Sequence, residues 1–117
     1  MEHQIHIAIT GTTHYFGTSF LKPGQVVHLV KDPENPYDQE AIKAVIPPIG
    51  KIGYIANSMH TVPKGCRSAG RIYDSFDQQI CGVIRFIVKD LAIVELVENI
   101  EGFYMIHLSE SDSFPLR

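Results

Sequence analysis

The 117-residue chain has no tryptophan and only two cysteines, Cys66 and Cys81. Neither has a second cysteine close by, so a disulfide framework is not expected, and both read as small buried or exposed thiols. No apolar run approaches the roughly 20 residues that cross a bilayer as a helix. The start, "MEHQIHIAIT", lacks the basic region and long apolar core of a secretory leader. The expected setting is therefore the cytoplasm, with no membrane partner. A large basic excess is missing too: the net charge is −3 and the pI is near 6.0, which argues against indiscriminate coating of nucleic acid.

The chemistry of common enzymes is equally sparse. There is no glycine-rich phosphate loop, no nucleophile elbow and no carboxylate pairing beyond Asp32, Glu34 and Asp38, which read as turn and solvated-face residues. His3, His6, His14, His28, His60 and His107 never fall at His-x-x-x-His spacing, so neither a metal nor another cofactor is expected. A binding protein that is not an enzyme is the expectation.

What is present is an ordinary globular composition, 44% apolar and 20% charged. No repeat or linker divides it, so residues 1–117 read as a single domain. Charge is uneven along it: residues 1–42 sum to −3, residues 43–89 to +5 and residues 90–117 to −5. The basic middle suggests either a local anion-binding face or mutual neutralisation on the folded surface.

Period-2 alternation runs through "IHIAIT", "QVVHLV", "AIKAVI" and "KIGYI", and "CGVIRFIV" and "LAIVELV" form a hairpin about Lys89 and Asp90. Between them, Pro63, Gly65 and Gly70 leave room for one short helix near Cys66 to Tyr73. "FYMIHL" near the end suggests one more strand. The expected fold is mainly β, a small OB-like or SH3-like barrel of about six strands with one or two short helices, since closure removes sheet edges. Ile5, Ile7, Ile9, Val27, Leu29, Ile42, Ile52, Ile84, Ile93 and Leu96 are the expected core. Phe86, two residues after Ile84, falls on the core side of the same alternation.

The connecting stretch "DPENPYDQEAI" is more elaborate than a strand link requires. Pro33 and Pro36 fix two backbone positions, and Asn35 and Asp38 suit Asx turns, so a rigid loop is expected. Tyr37 beside Asp38 then holds a ring and a carboxylate on a stiff support, an arrangement suited to a ligand with a flat face and a hydroxyl.

The order "GTTHY", "LKPGQVVHLVKDPENPYDQEAIKAV" and "GKIGYI" resembles the HIRAN domain, found on SNF2-type DNA translocases and as a free-standing bacterial protein. The resemblance runs from about Ile5 to Ile55 and is loose beyond it, apart from "GVIRF". It implies an OB-like barrel that captures the 3′-hydroxyl end of single-stranded DNA, alone or beside a separate DNA-processing enzyme. By that resemblance Asn35, Tyr37 and Asp38 border the end pocket, and His14 and Tyr15 clasp or stack on the terminal nucleotide, with Phe16 as the neighbouring alternative. Tyr54 contacts the backbone and Phe86 lines the pocket.

Asp38 is the expected end-reading residue, because a carboxylate accepts from a hydroxyl and repels phosphate. Lysines that follow the Tyr54 position in translocase-associated members are replaced here by Ala56 and Asn57. Lys64, Arg67 and Arg71 offer positive charge instead, an expectation from their spacing and not from the family. The competing reading is a protein-interaction or regulatory module in which the end pocket is vestigial and the acidic tail or a strand edge binds another protein.

Overall fold

Six antiparallel strands close on themselves in the computed structural model, which describes residues 4–97. They are β1 (His6–Thr10), β2 (Val26–Lys31), β3 (Ile42–Ile46), β4 (Gly50–Ile55), β5 (Gln79–Val88) and β6 (Leu91–Leu96). The order around the barrel is β1-β4-β3-β2-β5-β6, and β6 pairs back with β1. Every strand coincides with an alternating run of the sequence to within two residues. Closure pairs both sides of each strand, so no edge is left open. The architecture is a small OB-like barrel.

One short helix, α1 (Ala69–Ile72), falls inside the expected stretch, with the Ser68 side chain accepting from the Arg71 amide at its start. A 3-10 turn follows at Tyr73–Ser75, and another, Thr12–His14, opens the β1–β2 loop. The strand expected in "FYMIHL" lies outside the described residues. No helix among the described residues is long and apolar enough to cross a membrane.

Ile7, Ile9, Val27, Leu29, Ile42, Ile52 and Ile84 fill the barrel, and Ile5 and Leu96 pack against it from its margin. Ile93 does not belong to this core. In "LAIVEL" both parities are apolar, so alternation alone does not choose a face. Pairing with β1 sets Ala92 opposite Ile9 and Val94 opposite Ile7, which buries Ala92 and Val94 and turns Ile93 outward.

Two bulges redirect side chains that a regular strand would send the other way. Between β5 and β6, Ile84 pairs with Val94 but Phe86 with Ile93, so Arg85 is an extra residue and the alternation restarts. Phe86 is therefore 60% exposed, which overturns its expected core position, and Ile87 packs inward in its place. Between β3 and β4, Ala44 pairs with Gly53 but Val45 with Lys51. Ile52 is the extra residue there, and Lys51 and Tyr54, three apart, are both left half-exposed on either side of buried Ile52 and Gly53.

Cys81 is buried with its Sγ 3.6 Å from His28 Nδ1, and Cys66 is half-buried; both are free thiols. Burial pushes the Cys81 thiol up to about 11 and pulls His28 below its ordinary value. Both shifts favour the neutral forms, so the pair is not an activated nucleophile. At pH 8 the native protein is expected to take up iodoacetamide at Cys66 well before Cys81, followed by mass spectrometry. Equal rates without denaturant would contradict this burial.

Candidate nucleic-acid interface

The loop between β2 and β3 is as rigid as its composition suggests. Asn35 Oδ1 accepts from the amides of Tyr37 at 2.9 Å and Asp38 at 3.1 Å, and Asp38 Oδ1 accepts from the Glu40 amide at 2.9 Å. Backbone bonds from Asp32 to Ala41 and from Asn35 to Asp32 close its base. These are the two Asx turns expected there. Asn35 is occupied in shaping the loop, while Tyr37 stands at its tip, 94% exposed.

The first loop is anchored independently. Thr12, buried, donates its hydroxyl to the Asp90 carbonyl at 2.7 Å, and Thr18 donates to the Lys89 carbonyl at 2.9 Å. The β5–β6 turn, with Lys89 at a φ of 57°, thus holds the segment that carries His14, Tyr15 and Phe16. His14 and Tyr15 are exposed, and Phe16 meets Phe20 edge-on with centroids 5.9 Å apart.

Tyr15, Tyr54 and Asn35 come together through two residues that sequence reasoning did not assign to the site. The Lys51 ammonium lies 5.3 Å from the Tyr15 ring centre and 4.9 Å from that of Tyr54, within cation–π range. It donates to Tyr54 Oη at 3.1 Å, and Tyr54 in turn donates to Asp32 Oδ2 at 2.8 Å. Asn35 Nδ2 reaches the same Asp32 oxygen at 3.5 Å. The bond from Tyr54 is the main reason that the Asp32 carboxyl lies below its ordinary pKa, aided by Asn35 and the charges of Lys43 and Lys51 against burial. The same hydroxyl holds the Lys51 ammonium above its ordinary value, again against burial. A ring, a cation and a carboxylate are fixed at one place. Lys51 was not legible because regular alternation separates it from Tyr54; only the bulge unites them.

Asp38 is engaged more heavily than a pure ligand contact requires. Its second oxygen, Oδ2, accepts from Asn57 Nδ2 at 2.8 Å, and Asn57 Oδ1 accepts from the Gly70 amide at 2.7 Å. Asn57 ties the loop to α1. The carboxylate therefore braces the loop through Asn57 as well as closing its Asx turn. Phe86 is exposed on β5, a strand that does not neighbour β4 in the barrel. Arg67 and Arg71 line an open groove behind Asn57, and Lys64 is exposed without lining it. Among the described residues no group of three metal-ligating side chains is close enough to hold an ion.

No curated protein matches the chain significantly. Among solved structures, the HIRAN domain of human HLTF is similar, with 23% identity and a TM-score of 0.58 over 80% of this chain and 72% of that one. That likeness is one of fold. The HIRAN domain family model matches residues 3–70, which span β1 to β4 and the first residues of α1. Covering more than half of the chain, this match shows that the chain belongs to the HIRAN domain family, a family of DNA-binding modules.

Proposed function

We propose that this chain is a non-catalytic module that captures the 3′-hydroxyl end of single-stranded DNA at the surface formed by the first loop, the Asn35–Asp38 turn and β4. The observation that carries the reading is the Tyr15–Lys51–Tyr54–Asp32 network, whose members are held in place by contacts within the chain. Preorganisation of this kind lowers the entropic cost of binding.

Each member has a role that follows from its chemistry. Tyr15 offers a face to the terminal base, a contact worth about 1–3 kcal/mol that does not depend on sequence. The Lys51 ammonium faces the last phosphodiester. Asp38, on the rigid loop, accepts a hydrogen bond from a free sugar hydroxyl and repels a terminal phosphate. Tyr37 is exposed beside it and closes over the sugar. The module acts alone or delivers the end to a separate DNA-processing enzyme.

Short labelled single strands ending in a 3′-hydroxyl, a 3′-phosphate or a blocked sugar test this by fluorescence titration. The hydroxyl-ended strand is expected to bind about ten-fold tighter or more, the value of one charge-assisted hydrogen bond exchanged for a repulsion. Equal affinities would overturn the end reading. Exposed Phe86 and Val88 on β5 would then favour the protein-interaction reading.

A further inference from the structure

Beside the end-binding surface lies an open groove of about 620 Å³. Asn57, Met59, Val62, Cys66, Arg67 and Arg71 line it. Its walls are fixed by backbone bonds from Arg67 to His6 at 2.8 Å and from Ala69 to Ala56 at 3.0 Å, and by the Gly70 amide on Asn57. Among the described residues neither guanidinium has a carboxylate partner. Three other cations have partners of their own: Arg85 with Glu95 at 2.7 Å, Lys31 with the Phe76 carbonyl at 2.7 Å, and Lys51 with Tyr54. Met59 is 87% exposed and gives the groove an apolar surface beside the two guanidiniums.

We propose that this groove is a second subsite for the same strand, taking an internal nucleotide whose phosphodiester meets Arg67 and Arg71 and whose base lies on Met59 and Val62. The inference rests on the end-binding reading above. Planar guanidiniums pair with phosphate oxygens bidentately, and an apolar shelf accepts any base face. A nucleic-acid strand supplies both features in one repeating unit. Continuity comes from Asn57, which borders the groove and hydrogen-bonds Asp38 of the end-binding loop. One side chain thus couples the two subsites: a strand that fills the groove stiffens the loop holding its end. Affinity should then depend on length as well as on end chemistry.

The test compares a dinucleotide with a strand of about eight nucleotides, within the ~4–16 nucleotides that an OB fold covers, both ending in a 3′-hydroxyl. The longer strand is expected to bind about ten-fold tighter or more. Arg67→Ala with Arg71→Ala should remove most of that gain, flatten the salt dependence by roughly 1.4 log–log units, and leave both the dinucleotide affinity and the preference for a hydroxyl end unchanged. Both residues are exposed, and an unchanged melting temperature confirms that the variant is folded.

Cys66 supplies a readout on the unaltered protein: the longer strand, but not the dinucleotide, should slow its alkylation. A double variant that keeps the full length-dependent gain, or Cys66 labelling at one rate throughout, overturns the groove. So does protection by polyglutamate of matching charge with none from the strand, which would make the occupant an acidic peptide. Loss of end discrimination with the length effect retained overturns the end reading instead.

Discussion

Asp38→Ala is expected to weaken binding of a hydroxyl-ended single strand about ten- to a hundred-fold, the loss of a charge-assisted hydrogen bond worth roughly 1.5–3 kcal/mol. Strands ending in 3′-phosphate, already repelled, should change little or bind slightly better. Because Asp38 also accepts from Asn57 and from the Glu40 amide, the alanine variant should lose some thermal stability as well. Two further variants separate the roles. Asp38→Asn keeps an oxygen for the turn while removing the charge, so it should stay folded and lose most of its preference for the hydroxyl end. Asn57→Ala removes the internal partner while leaving the carboxylate, so it should keep that preference even if the overall affinity falls. Were Asn57→Ala to abolish end discrimination as fully as Asp38→Asn, the carboxylate would be a loop brace and not a reader.

The second large effect concerns Gly53, which sits beside the β3–β4 bulge. A Cβ placed there would stand 2.5 Å from the Thr10 carbonyl oxygen and 2.7 Å from Ile9 Cγ2. The first of these is backbone in the strand that pairs with β4, so relief requires β1 to move. Overpacking of this kind costs about 1–3 kcal/mol, and at this chain length each kcal/mol lowers the melting temperature by several degrees. Gly53→Ala should therefore unfold measurably earlier in a thermal scan, while binding by the fraction still folded stays close to that of the parent chain. A substitution without thermal cost would mean that β1 and β4 are not held at this distance.

Much of the architecture was legible in the sequence. Alternation marked all six strands, because a strand with one buried face must repeat with period two, and its interruption at Pro63, Gly65 and Gly70 marked the place of the short helix. The loop from Asp32 to Ala41 was legible for a different reason. Proline and Asx residues shape backbone locally, and the bonds they form, Asn35 to Tyr37 and Asp38 to Glu40, span only two residues. The likeness to HIRAN domains rested in part on that same local signature.

Tertiary pairing decided what alternation could not. Ile93 turned outward because β1, far away in sequence, chose between two apolar faces of β6. Phe86 became a surface ring and Lys51 joined Tyr54 because one extra residue in each of two strands reset the parity, and a bulge depends on how two strands meet, not on either one alone. Asn57 shows the same limit from the polar side: its sequence neighbourhood reads as a plain loop. Its function as the link between Asp38 and Gly70 exists only once residues 13 and 19 positions away are folded against it. Local chemistry thus determined the strands and the rigid loop, while long-range pairing determined which side chains those elements present to a ligand.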